Sequence, residues 1–161
     1  RPYDDRGQWA AEGAASEALL ERMLGDPYFE QQPPKSTGPE YFNLAWLATM
    51  LAGLDVNEAD TQATLAELTA HSVARSLPER PARLLVCGGG AHNAHLLGRL
   101  AAAMPGVAVE TTAGHGAAPD WVEGLLFAWL ARERLADRSL DTRAVTGAKH
   151  PVLLGRIARP V

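Results

Sequence analysis

The sequence predicts an α/β fold that is rich in helix and poor in strands. Three observations predict it. Residues 84–93, Leu-Leu-Val-Cys-Gly-Gly-Gly-Ala-His-Asn, read as a short apolar strand, a glycine turn and the start of a helix. A second short apolar run, Val107 to Glu110, follows that helix. Upstream, stretches of helical apolar spacing precede both strands. Strands alternating with helices argue for an α/β sheet, but two strands are too few for a full doubly wound one.

The elements follow in order. Residues 1–8 are polar and turn-like. A helix is expected from Trp9 to about Leu24, on Leu19, Leu20, Met23 and Leu24. Gly25-Asp26-Pro27 stops it, since proline cannot continue the backbone ladder. Tyr28 and Phe29 read as an apolar plug. Residues 30–39 are a loop by composition, extended at Pro33-Pro34. A second helix is expected from about Glu40 to Leu54, with Phe42, Leu44, Trp46, Leu47 and Met50 as its bulk. A third runs from about Glu58 to Leu77, capped by Asn57, with Pro78 and Pro81 at its exit. After the first strand, Asn93 offers an oxygen to the amides of a helix bearing Leu96, Leu97, Leu100, Ala101 and Met104. Pro105-Gly106 ends it. Residues 113–118 read as a flexible loop. Pro119 suits the first turn of a helix carrying Val122, Leu125, Leu126, Trp129 and Leu130. The tail to Val161 places Gly147, Pro151, Gly155 and Pro160 around Val152-Leu153-Leu154.

Composition bounds the function. The chain has 161 residues, 47% hydrophobic and 21% charged, with a net charge of -4. That is globular material with a core, and no basic stripe suggests nucleic acid as a partner. The single cysteine, Cys87, rules out an internal disulfide and makes a reducing cytoplasm the default; it is expected as a small buried residue. No apolar run approaches the ~20 residues that span a bilayer, and no signal peptide is read. The chain opens at Arg1, and Pro2 to Gly7 reads like a loop interior to a protein, so a fragment is expected.

The glycine turn is the place where chemistry is expected. Without Cβ atoms, backbone amides come close to a phosphate, a ribose or a flat base. The phosphate-binding GxxxxGK[ST] pattern is absent. The dinucleotide GxGxxG pattern is half met: Gly88 and Gly90 fit, and Asn93 takes the third place. Glu110 ends the second strand about twenty residues on, where that fold wants an acid for a ribose. Two readings stay open on these residues: a dinucleotide or methyl-donor site, and a tight connection with no ligand. His92, His95 and His115 lie near the turn without metal-ligand spacing and read as surface or loop residues.

Several segments together resemble bacterial anhydro-N-acetylmuramic acid kinase. They are Tyr3-Asp4-x-x-Gly7-x-Trp9-Ala10, Met23-Leu24-x-Asp26-Pro27-Tyr28-Phe29, Pro34-Lys35-Ser36-Thr37-Gly38-x-Glu40-Tyr41-Phe42-Asn43, Gln62-Ala63-Thr64-Leu65, Val86-Cys87-Gly88-Gly89-Gly90-Ala91-x-Asn93, Pro119-Asp120-Trp121-x-Glu123, Phe127-Ala128-Trp129-Leu130-Ala131 and Val145-Thr146-Gly147-Ala148 through Leu154-Gly155. The Lys-Ser-Thr-Gly segment and the glycine turn are the most specific. The resemblance covers nearly the whole chain.

The resemblance implies an actin-like (ribonuclease H-like) ATPase domain of two lobes, with residues 1–161 as the C-terminal nucleotide-binding lobe. The family's first phosphate loop and its catalytic base belong to the other lobe, so this chain alone is expected to be inactive. Family members cleave the 1,6-anhydro bond of the sugar with water and pass the γ-phosphoryl of ATP to O6, giving N-acetylmuramate 6-phosphate in cell-wall recycling. ATP and Mg2+ are the implied cofactors. The implied partners are the amino sugar, the missing lobe and a second copy in a homodimer, in the cytoplasm. Gly88, Gly89, Gly90 and Ala91 match the nucleotide turn, with Asn93 read as its helix cap first and a nucleotide contact second. Glu123 matches an acid that faces the sugar, whereas Asp120 reads as a helix-start acid. Lys35, Ser36 and Thr37 read as a connector rather than a phosphate contact. The chain differs from the family pattern at Ala113, His115 and Gly124. A non-enzymatic interaction module, with Trp46 and Trp129 on one exposed patch, is the remaining alternative.

Overall fold

The computed structural model describes residues 3–77 and 79–158. Arg1, Pro2, Pro78 and Pro160, used above as turn or boundary signals, lie outside them.

The expected first helix is two. A 3-10 turn at Asp5–Gly7 leads into α1 (Gln8–Glu12), and α2 (Glu17–Leu24) starts only after a break. Tertiary contact overrides the helical pattern there. A Cβ on Gly13 would lie 2.2 Å from the Ala59 carbonyl oxygen, so the backbone itself presses on a neighbouring helix. Freed amides find partners on that neighbour: Ala14 N–H donates to Asp60 Oδ1 at 2.7 Å and Ser16 N–H to Thr64 Oγ1 at 2.9 Å. Ser16 in turn caps α2.

Pro27 ends α2 as expected and opens a one-turn helix, α3 (Pro27–Glu30), capped by Asp26. The next helix, α4 (Leu44–Leu51), is shorter than the 40–54 expected. Asn43 sets its start by accepting the N–H groups of Ala45 and Trp46, both at 3.0 Å. Helix α5 (Glu58–Ser76) has its expected bounds to within a residue. Its cap is reciprocal: Asn57 Oδ1 accepts Asp60 N–H at 2.9 Å, and Asn57 Nδ2 donates to Asp60 Oδ2 at 2.7 Å.

A strand–helix–strand unit follows: β1 (Arg83–Val86), α6 (Ala94–Ala103) and β2 (Ala108–Thr111). The strands are parallel, with Leu84 opposite Val109 and Leu85 opposite Glu110. Leu84, Val86 and Val109 pack on a core of Ala70, Leu100, Met104 and Val107. Leu85 points the other way and is exposed, so the strand expected to be buried is covered on one face only. Beyond it, α7 (Val122–Leu135) and α8 (Arg143–Thr146) follow, and Leu140 pairs with Val152 in an antiparallel bridge. The buried Glu133 near the end of α7 is clasped by Arg138 and Arg132. Hydrogen bonds from Arg138 first, prevailing over burial, hold its carboxyl down at about 2.

Two apolar clusters share α5. Leu65 and Leu68 face Leu19, Met23 and Trp46, while Ala70, Val73 and Ala74 back the strand–helix–strand unit. Trp46 therefore belongs to the core, which removes it from the exposed tryptophan patch considered above. The apolar residues of α7 behave otherwise: Leu125, Leu126, Phe127 and Trp129 are exposed, as is Trp121 just before it.

Asp26 joins the aromatic residues to the helices. It is 6% exposed. It accepts Tyr28 N–H at 2.9 Å, the Tyr41 hydroxyl at 2.8 Å and the Trp46 indole N–H at 2.9 Å. Burial pushes its carboxyl up, but the three hydrogen bonds together outweigh burial and hold it below the ordinary range. A depressed folded pKa adds stability above the unfolded value, and that stability is lost as pH falls through the folded one. Asp26→Asn should lower the urea midpoint at neutral pH. It should also flatten the loss of stability between roughly pH 5 and pH 3. A variant with the wild-type slope over that window would contradict this role.

Candidate functional site

Strand β1 runs into Cys87, which is exposed rather than buried, because the chain leaves the core at this point. Gly88 follows with φ 66° and ψ -163°, a conformation essentially restricted to glycine. Its N–H donates to the Pro119 carbonyl at 2.9 Å. Residues Gly89–His92 form one 3-10 turn, closed by Ala91 N–H to Gly88 O at 3.0 Å and Asn93 N–H to Gly90 O at 3.1 Å. The three glycines do different things. A Cβ on Gly88 or Gly89 would meet nothing within 4 Å, so both present bare backbone to open space. Gly90 backs onto Leu96 and Val86 at ordinary contact distance. Ala91 is half-buried.

Asn93 caps α6 by accepting Leu96 N–H at 2.8 Å. The same carboxamide lies where a side chain on Gly7 would have to go: a Cβ there would be 2.1 Å from Asn93 Oδ1. Gly7 has φ 75°, so both its conformation and its neighbour require glycine. Asp4 holds this segment in place by accepting Trp9 N–H at 2.8 Å and Ala10 N–H at 3.0 Å. Between the two segments lies a cleft of about 550 Å³. Tyr3, Asp4, Asp5 and Arg6 line one side, and Gly89, Gly90, His92 and Asn93 the other.

The far side of the turn meets the start of α7. A 3-10 turn at Pro119–Trp121 precedes that helix. His92 Nε2 lies 2.8 Å from Asp120 Oδ1. Glu123, in the first turn of α7, is exposed. Asp120, read from the sequence as a helix-start acid, thus has a specific partner on the glycine turn. That pairing spans 28 residues and leaves no local sequence signal.

Other candidates are engaged elsewhere. Lys35 Nζ donates to the carbonyls of Tyr28 and Phe29 at 3.0 and 3.3 Å and sits 4.7 Å over the Tyr28 ring. These contacts satisfy the end of α3. Glu110 is bonded to His115 Nε2 at 2.6 Å and lies 3.4 Å from Arg83 Nε. The His115 hydrogen bond first, prevailing over burial with the help of Arg83, holds its carboxyl below the ordinary range. The ribose acid of the dinucleotide alternative is therefore already paired. The loop around His115, expected to be flexible, is a 3-10 turn at Thr112–His115 closed by Ala117 N–H to Thr112 O at 3.2 Å. Among the described residues, no three His, Cys, Asp or Glu side chains gather as metal ligands. No helix among them is long and apolar enough to cross a membrane.

This geometry sits in a sequence that matches the family model for anhydro-N-acetylmuramic acid kinase over residues 1–160. The chain belongs to that family. It is 51% identical to the anhydro-N-acetylmuramic acid kinase of Cupriavidus pinatubonensis, over 97% of this chain and 43% of the relative. The Coxiella burnetii protein of the same name is 48% identical, over 98% of this chain and 43% of the relative. That of Xanthomonas oryzae pv. oryzae is 50% identical, over 97% and 42%. The chain thus spans a little over two fifths of the length of the curated relatives it matches.

The distinct demands on the glycines are open to a direct check. Gly88→Ala should destabilise the fold by about 1–3 kcal/mol, because its backbone conformation excludes a side chain. Gly89→Ala, whose Cβ enters open space, should stay within about 0.5 kcal/mol of wild type. Equal losses in chemical denaturation would contradict the assignment.

Proposed function

We propose that residues 1–161 are the C-terminal, nucleotide-binding lobe of a two-lobed kinase of the actin-like (ribonuclease H-like) ATPase class. In the intact protein this kinase hydrolyses the 1,6-anhydro bond of anhydro-N-acetylmuramic acid and phosphorylates O6, giving N-acetylmuramate 6-phosphate for peptidoglycan recycling in the cytoplasm. The observation that carries the reading is the backbone of Gly89 and Gly90, which lines a cleft beyond the carboxyl end of a parallel strand. That is where open α/β sheets bind ligands. Relatives named as kinases of this sugar support the substrate.

ATP supplies the phosphoryl group. Gly88, Gly89, Gly90 and Ala91 keep one wall of its site small enough for adenosine and the α-phosphate to lie on the backbone. Asn93 holds the start of α6 at that wall. Glu123, charged and exposed, accepts hydrogen bonds from sugar hydroxyls. Positioning and charge do most of the work in phosphoryl transfer. The water-activating carboxylate lies in the remainder of the protein, so this segment alone is inactive. Among the described residues none gather to hold Mg2+; bound with the nucleotide, it would screen the charge of the phosphates.

Two features support a larger intact protein. A two-stranded parallel sheet is normally part of a wider one, covered on both faces. The exposed apolar residues of α7 form the kind of surface that packs against another body. The remaining lobe is the proposed cover, and a second copy of the whole protein completes a homodimer.

The test is ADP release by the full-length protein with Mg-ATP, with and without anhydro-N-acetylmuramic acid. Sugar-dependent release is expected. Gly89→Val should raise the KM for ATP by roughly tenfold or more, and Glu123→Gln should raise that for the sugar. Absence of sugar-dependent release from the intact protein would overturn the reading.

A further inference from the structure

The glycine turn and the first turn of α7 are joined at two points. One is the Gly88 N–H donated to the Pro119 carbonyl at 2.9 Å. The other is His92 Nε2 against Asp120 Oδ1 at 2.8 Å. A single hydrogen bond lets the two segments rotate about its axis. Two bonds, from opposite ends of the turn to adjacent residues, fix their relative orientation. Glu123 lies one residue beyond the start of α7 at Val122, so its placement follows from that joint.

His92 lines the cleft, and Asp120, which does not, lies against its Nε2. Both side chains are more than half exposed, at 59% and 63%. An exposed pair of this kind contributes little to overall stability. Its effect is therefore local geometry. Exposure also leaves it free to tighten when a ligand excludes water from the cleft.

We propose that His92 and Asp120 are a positioning pair that couples the two ligand sites: it sets Glu123 for the sugar against a glycine turn shaped for nucleotide. The proposal rests on the kinase reading above. Neither residue touches the reacting atoms. The pair acts through the placement of Glu123, so its loss reads out on the sugar.

The experiment uses the full-length protein and steady-state ADP release. His92→Ala and Asp120→Ala should each raise the KM for the sugar about tenfold and that for ATP less than about twofold. The double variant should be no worse than the weaker single, since both break one interaction. His92→Gln, which keeps a donor in place of Nε2, should recover most of the loss. A merely structural role would move both KM values together and would not be rescued. Wild-type sugar kinetics in both single variants, or a rise confined to ATP, would overturn the coupling.

A readout independent of activity separates this from the kinase reading. In a crystal structure of the full-length Asp120→Ala protein, the His92 ring should leave its wild-type orientation and the first turn of α7 should shift against the glycine turn. A glycine turn and an α7 start in their wild-type places in Asp120→Ala would overturn the pair whatever the enzyme does. A wild type that releases no ADP with the sugar would instead overturn the kinase reading.

Discussion

The hydroxyl of Thr64, fully buried midway along α5, donates to the Asp60 carbonyl at 2.7 Å and accepts the Ser16 N–H at 2.9 Å. That bond is where the N-terminal segments are fastened to the helix on which everything else is built. Around it, Gly13 lies against the Ala59 backbone and Ala14 donates to Asp60. On the next turns the same helix backs the strand–helix–strand unit through Ala70 and Val73. Glu67, also largely buried, pairs with Arg99 of α6. A buried carboxylate must be paired to be tolerated, so this contact fixes α6 against α5. The glycine turn, at the head of α6, inherits its position from α5.

From there the site assembles through short links. Asn93 caps α6 and receives the Gly7 backbone against its carboxamide, which brings the Asp4 segment to the cleft. Gly88 reaches Pro119, and His92 reaches Asp120, which brings α7 and Glu123 to the opposite side. The residues that carry the family resemblance are thus of two kinds. Asp4, Gly7 and Asp26 hold backbone and aromatic groups in place, whereas Gly89 and Glu123 are exposed. Lys35 belongs with the first kind.

What could be read in the sequence was what is local. The bounds of α5, the caps at Asn57 and Asn93, and the strand–turn–helix around Gly88 each rest on residues within a few positions of one another. The break between α1 and α2 could not be read, because it is imposed by α5 some 46 residues away. The exposure of Cys87 was hidden for a related reason: its neighbours are apolar on one side, but the chain turns out of the core just there. The apolar spacing of α7 gave a helix, but not whether its apolar residues are covered. Periodicity reports that a face is apolar, not that its partner lies within the same 161 residues. The His92–Asp120 pair joins two motifs that each look complete alone.

The central claim is that nucleotide lies on the glycine-turn backbone at Gly89 and Gly90. Photolabelling of the full-length protein with an azido-adenine analogue of ATP, followed by peptide mapping, tests it most directly. The account predicts label in the glycine-turn peptide or in the Tyr3–Arg6 segment across the cleft, competed by ATP and lost in Gly89→Val. ATP-competed label confined to peptides that line neither side of that cleft would contradict it.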